Sequence, residues 1–203
     1  MTSFSDARAR AAAADDVDLV IETLSLAFEH DPVWGVALAR PDGSTRHHAP
    51  FWRAYVEGAL RYSTVFLIDD AAAVSVWIPP DGTELSPAQE ADVARLVETS
   101  LEPASARAMF ELWDRFASNH PHSTPHAYLS LLATHPAHRG LGIGQRLLAE
   151  NLVRFDEARL SAYLESTNPA NDHRYERLGF RRIGGFTSVL DEAPISTMWR
   201  PAP

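Results

Sequence analysis

The 203-residue chain contains no cysteine and no lysine. The first absence excludes disulfides, thiolate metal centres, iron–sulfur clusters and a cysteine nucleophile together. The second excludes a Schiff-base lysine and the lysine of a phosphate-binding P-loop, which argues against Walker-type nucleotide hydrolysis. All 18 basic residues are arginine; 27 acidic residues leave a formal charge of −9, which opposes non-specific nucleic-acid binding and favours the approach of cationic ligands. No segment approaches the roughly 18 uncharged apolar residues of a membrane span. The opening "MTSFSDARARAAAADD" carries charges throughout where a signal peptide would have an apolar core. The expectation is a cytoplasmic protein with no membrane and no nucleic-acid partner. The nine histidines include "HHAP" (47–50) and "HPHSTPH" (120–126), but neither has the helical spacing with a carboxylate that zinc motifs use, so no metal site is expected.

What is present suits one domain, 1–203, with 45% hydrophobic residues and no repeat or linker. "ARARAAAA" (7–14) reads as a first strand. Val17, Val20, Ile21, Leu24 and Phe28 recur at spacings of three and four behind an Asp cap, as in an amphipathic helix that ends before Pro32. A second helix is expected over 50–62. "TVFLID" and "AAAVSVWIPP" are β-branched and aromatic around a "DDAA" turn, a hairpin closed by Pro79 and Pro80. Two helical patterns follow, 86–100 and 103–118, the first with Ser86 as cap and Pro87 at the first helical position. Then come strand 127–134, helix 144–157, strand 161–167, short helix 168–178 and two final strands, 179–189 and 195–200. The alternation predicts an α/β or α+β domain with a mixed sheet.

"THPAHRGLGIGQRLLAEN" (134–151) carries glycines 140, 142 and 144 immediately before a helix. A strand, a glycine turn and a helix N-terminus aim unpaired backbone N–H groups and the positive end of the helix dipole at one spot, a site for an anion such as phosphate. The spacing G-x-G-x-G, late in the chain, departs from the dinucleotide fingerprint G-x-G-x-x-G. "RGLGIG" resembles the acyl-CoA pyrophosphate loop of the GCN5-related N-acetyltransferase (GNAT) family. About 25 residues later, "NPANDHRYERLGF" is similar to that family's second signature, an Asn followed seven residues on by Tyr and then Leu-Gly-Phe. The core resemblance covers about 125–186. "VFLIDDAAAVSVWIPP" and "AFEHDP" extend it toward the branch that includes puromycin N-acetyltransferase and its small-molecule relatives.

The resemblance implies a GNAT fold: a mixed, mostly antiparallel sheet flanked by helices, with the fourth and fifth strands (127–134 and 161–167) splayed and two extra helices inserted after the third. It implies acetyl-CoA, or another acyl-CoA, as co-substrate. Backbone groups of Leu132, Ala133 and Thr134 would pair with its pantetheine arm, and Arg139, Gly140, Leu141, Gly142, Ile143, Gly144 and Gln145 would bind the pyrophosphate. A side chain at Gly142 or Gly144 would block the phosphates. Asn168 occupies the family's Asn position; Asn171 stands where the family has a small residue and either adds a hydrogen bond to the phosphates or faces water.

Acyl transfer to an amine needs a neutral nucleophile, donors for the oxyanion and a proton for the departing thiolate. N–H groups near Leu132 or Ala133 are the expected oxyanion donors. Tyr175 matches the family tyrosine near the sulfur and is the expected general acid, with packing beside Leu178 and Phe180 as its alternative role. Glu165 is the candidate base in the acceptor site, its alternative being an ion pair with Arg177 or Arg182. Phe28, Asp31, Trp34, Trp77 and Trp113, with Glu165, are the expected acceptor contacts, against core packing for the aromatics and a turn role for Asp31. The expected acceptor is a small-molecule amine, and the protein a monomer or homodimer. Acetylation of proteins or peptides, and a non-catalytic acyl-CoA sensor, are the alternatives.

Overall fold

The structure, a computed structural model, describes residues 8–203. Strands β1 (Arg10–Ala11), β2 (Val65–Ile68), β3 (Ala73–Ile78), β4 (His126–Thr134), β5 (Ser161–Ser166), β6 (Arg181–Thr187) and β7 (Pro194–Arg200) form one sheet in the order β1-β2-β3-β4-β5-β7-β6. Every neighbouring pair is antiparallel except β4 and β5, which run parallel. Helices α1 (Val17–Phe28), α2 (Trp34–Ala37), α3 (His48–Leu60), α4 (Pro87–Ser100) and α5 (Pro103–Asn119) precede β4; α6 (Ile143–Glu157) and α7 (Asp172–Glu176) flank β5. This is the mixed, mostly antiparallel sheet with two helices inserted after its third strand that the sequence implies. Among the described residues no helix is long and apolar enough to cross a membrane.

Two apolar layers hold the helices to the sheet. Val20, Ile21 and Leu24 of α1 join Phe51, Trp52 and Val56 of α3 against one face. Leu147, Leu148 and Leu152 of α6 pack with Trp77, Leu164 and Met198 on the other. Both faces of β2 and β3 are therefore covered, and every residue of these strands is buried, which is why they read as continuous apolar runs rather than alternating ones. Fully burying one large apolar side chain contributes roughly 1.5–3 kcal/mol, so the two layers carry most of the fold's stabilisation.

Local chemistry sets the element ends. Of the expected first strand only Arg10–Ala11 pairs with β2; Ala7 lies outside the described residues. The chain turns there because the Asp16 carboxylate accepts from Ala13 N (2.8 Å) and both Arg10 Nη atoms (2.6 and 2.7 Å), bonds that hold its pKa down to about 2. Ser86 caps α4 reciprocally with Gln89. The expected helix 168–178 is a 3-10 turn, Pro169–Asn171, followed by the short α7.

Opposite the step from Val76 to Trp77, β4 passes from Leu131 to Leu129, so Ser130 is the extra residue of a β-bulge. The bulge changes the phase of the strand. Tyr128, Leu131 and Ala133 join the α1 and α3 layer, whereas Ala127, Leu129 and Leu132 join the α6 layer.

Trp77, expected in the acceptor pocket, lies in the α6 layer instead. It is fully buried, edge-on to Phe155 at 4.6 Å, and its Nε1 donates to Asn151 Oδ1 (3.0 Å). Ser75, two residues earlier and therefore on the same face, donates to the same oxygen (2.7 Å). Replacing Asn151 by Ala orphans two buried donors. We expect a loss of about 2–4 kcal/mol, read as a lower urea midpoint with unchanged m-value.

Candidate functional site

β4 stays on β3 as far as Thr134, and β5 stays on β7 as far as Ser166. The two pair with each other only from His126↔Ser161 to Leu129↔Leu164. Beyond Leu129 they part, and a cavity of about 70 Å³ opens between them. β4 contributes Ser130 and Leu132 to its wall, and β5 contributes Glu165. Phe28, Asp31 and Trp34, from the end of α1 and the start of α2, face it, as do Asn168, Asn171 and Tyr175 of the second motif. Ala133 and Thr134 continue the unpartnered stretch of β4 toward the glycine loop.

Tyr175 and Glu165 thus converge with part of the expected cofactor and acceptor contacts. Trp113 does not line the cavity: it stacks on Phe51 (6.4 Å, 11° between planes) and meets Phe110 edge-on, part of the layer beneath α5. Trp34 does line it, stacked on Phe116 of α5 at 5.8 Å. Asp31 borders the cavity, but its carboxylate is engaged. Oδ1 accepts from Val33 N (2.9 Å) and Trp34 N (3.0 Å), and Oδ2 from Thr167 Oγ1 (2.8 Å). Its work is to cap the turn into α2 and clamp it to the end of β5, the turn role that the sequence left open.

At the glycine loop, Gly140 and Gly142 take left-handed backbone (φ +80° and +75°) with open space where a Cβ would stand. Gly142 is the N-cap of α6, so the N–H groups of Ile143, Gly144 and Gln145 fall in the turn where no preceding carbonyl accepts them. This fits a pyrophosphate cradle. The Ile143 side chain is buried in the α6 layer and Leu141 is exposed. Gly144 is needed for a different reason from the expected one: a Cβ there would lie 2.5 Å from Thr134 Oγ1, so the constraint comes from β4. Arg139 donates to the Ala27 carbonyl (3.0 Å), tying the loop to the end of α1. Asn168 Oδ1 accepts from Ala170 N (3.2 Å) and caps the 3-10 turn.

Tyr175 is half-buried at the cavity and meets Phe180 at 6.2 Å. Burial, then the charges of Asp31 and Asp172, push its hydroxyl up to about 12, so it is protonated at neutral pH. Glu165 is paired with His120 (Nδ1 to Oε1, 3.6 Å) rather than with an arginine, and only 3% of its side chain is exposed. Its charge helps to raise the buried hydroxyls of Tyr128 and Tyr163.

Sequence reasoning missed a second carboxylate. Glu84, in the loop before α4, accepts a short hydrogen bond from Ser130 Oγ. Burial first, and then Glu165, raise its pKa to about 7, against the opposing effects of Ser130 and His120. An acidic residue just before a helix cap reads as a helix-start charge, and no local pattern in the sequence points it inward.

Two outcomes follow from this geometry. Gly144→Ala should lower the melting temperature, and Thr134→Ala should recover part of the loss because it removes the clashing oxygen. A carboxyl raised in the folded state holds its proton longer there than in the unfolded chain. Its stabilising effect is therefore complete below the ordinary glutamate range and is lost as pH rises through about 7. Melting curves from pH 4 to 8 should show wild type losing stability relative to Glu84→Gln across that window.

The family described as "Acetyltransferase (GNAT) domain" matches residues 107–182, from α5 through the glycine loop to the start of β6. Among solved structures, the histone acetyltransferase HPA2 and related acetyltransferase of Corynebacterium glutamicum is 26% identical, with a TM-score of 0.67 over 98% of this chain and 97% of that one. Arylalkylamine N-acetyltransferase 2 of Aedes aegypti has a TM-score of 0.69 at 13% identity, over 98% of this chain and 100% of the other. The polyamine N-acetyltransferase of Drosophila melanogaster, which forms N-acetylagmatine, has a TM-score of 0.60 at 17% identity over 97% and 100%. The last two share the fold. Residues 107–182 thus match the GNAT acetyltransferase domain, and the chain shares the fold of these acetyltransferases over nearly its whole length.

Proposed function

We propose that the protein transfers the acetyl group of acetyl-CoA to the amine of a small molecule, by direct attack through a tetrahedral intermediate. The carrying observation is the parting of β4 from β5 beside the glycine loop, with Tyr175 and Glu165 both on the resulting cavity. Acetyl-CoA, as substrate, supplies the thioester. The open edge of Leu132, Ala133 and Thr134 offers strand-like hydrogen bonds to an extended arm, and N–H groups near Leu132 or Ala133 meet the oxyanion. The loop from Arg139 to Gln145 holds the pyrophosphate, with Asn168 and Asn171 at its side.

Glu165 meets the incoming ammonium and assists its deprotonation. The neutral amine attacks the carbonyl carbon, and Tyr175 gives its proton to the departing thiolate. Phe28 and Trp34 present aromatic surface to the acceptor's carbon skeleton. The inserted α4 and α5 and the turn after α1 support the puromycin N-acetyltransferase branch. The proposal includes a cytoplasmic location for the reaction.

Tyr175→Phe should reduce kcat by about 100-fold or more, the usual worth of a general acid, with little change in the Kd for acetyl-CoA. Thiol release and equilibrium binding measure the two. Unchanged turnover removes Tyr175 from the chemistry, and tight acetyl-CoA binding without thiol release across a broad amine panel favours a sensor instead.

A further inference from the structure

Glu84 is held in place more firmly than a loop carboxylate requires. Its own carbonyl oxygen lies 1.9 Å from where a Cβ on Gly58 would stand, so α3 gives up a side chain in its last turn to let the loop pass. On one side of Glu84, Arg61 Nη2 donates to the Thr83 carbonyl (2.9 Å) and the Tyr62 hydroxyl accepts from Thr83 N (3.1 Å). On the other, Gln89, the capping partner of Ser86, donates to the Ala54 carbonyl (3.1 Å). These contacts fasten the flanks of Glu84 to α3 and to the turn that follows it, while its carboxyl group accepts from the hydroxyl of Ser130. Ser130 is the bulge residue of β4 and lines the cavity; Glu84 does not. A hydroxyl therefore stands between the acceptor's space and a part-buried carboxylate, and the bulge aims it.

We propose that Ser130 and Glu84 form the proton-accepting dyad of the transferase. This rests on the amine-acetylation reading above. The acceptor enters as an ammonium ion and is held by the charge of Glu165. One ammonium proton passes to Ser130 Oγ as the hydroxyl's own proton passes to Glu84, leaving a neutral amine and a carboxylic acid. The amine lone pair then forms the C–N bond at the thioester carbonyl carbon. As the C–S bond breaks, the thiolate leaves with the proton of Tyr175, and the second nitrogen proton returns to the Tyr175 oxygen. The proton on Glu84 is lost to solvent when product departs and water refills the cavity.

The ionisable groups facing Glu84 come from four elements: Tyr55 of α3, Tyr128 of β4, Glu165 of β5 and His120 at the end of α5. Glu165 is the like charge that disfavours ionisation, and His120 counters it. The arrangement divides labour between two carboxylates. Glu165 supplies charge at the cavity wall, and Glu84, behind Ser130, acts through that hydroxyl as a positioning and proton-storing group.

The test pairs acceptors that differ in charge but not in shape: a panel of alkylamines, each with the O-alkylhydroxylamine of the same skeleton, which is largely neutral at pH 7. Thiol release from acetyl-CoA is followed for wild type, Glu84→Gln and Ser130→Ala, with melting temperature and acetyl-CoA affinity as checks of the fold. The expected result is a loss of about 100-fold or more in kcat for alkylamines in both variants, with hydroxylamine rates within threefold of wild type. The wild-type rise of kcat through about pH 7 should be absent in Glu84→Gln. Equal losses for both acceptor types, or no loss for either, overturns the dyad. Wild type that acetylates no member of the panel overturns the small-amine reading itself, and the dyad with it.

Discussion

A sheet whose two central strands start paired and then separate carries two unsatisfied backbone edges in its interior, and the rest of this molecule is arranged around that constraint. β3 holds β4 through Thr134 and β7 holds β5 through Ser166, so neither strand is free to close the gap after Leu129↔Leu164. Buried backbone N–H and C=O groups are costly without partners. On the proposed function, an extended ligand arm that pairs as a strand does would satisfy them, and the glycine loop that follows β4 would receive its charged end.

Separate devices keep the gap open and aimed. The Ser130 bulge re-phases β4, so that one hydroxyl faces the cavity while its neighbours pack into opposite layers. Asp31 joins the turn after α1 to Thr167, where β5 ends, and Arg139 joins the glycine loop to the Ala27 carbonyl near the end of α1. Each contact ties an element of the cavity to the α1 layer, so the cavity's geometry follows from the packing of that helix. Its walls are polar where chemistry is needed and aromatic at Phe28 and Trp34. The two carboxylates, with His120 between them electrostatically, give the acceptor side a negative character that suits a cation.

Much of this was legible from local patterns. The glycine spacing, the Asn-to-Tyr spacing and the alternation of strands and helices are short-range features, and the sheet, the inserted helices and the convergence of Glu165, Asn168 and Tyr175 agree with them. What escaped was set by long-range packing. Trp77 and Trp113 are aromatic residues in the right elements, but strand phase turns one toward Asn151 and helix phase turns the other toward Phe51. Gly144 was expected to spare a phosphate and instead spares Thr134, a contact across the end of β4. Glu84 and Ser130 are 46 residues apart and meet only because a bulge in β4 and a side-chain gap at Gly58 bring them together.

The proposed function requires the interval between β4 and β5 to receive the acyl-CoA arm. Amide hydrogen exchange of the intact chain with and without saturating acetyl-CoA tests it most directly. Slowed exchange is expected, concentrated at Ser130 to Thr134 and at Arg139 to Gln145. Saturable acetyl-CoA binding that leaves both stretches unprotected would contradict it.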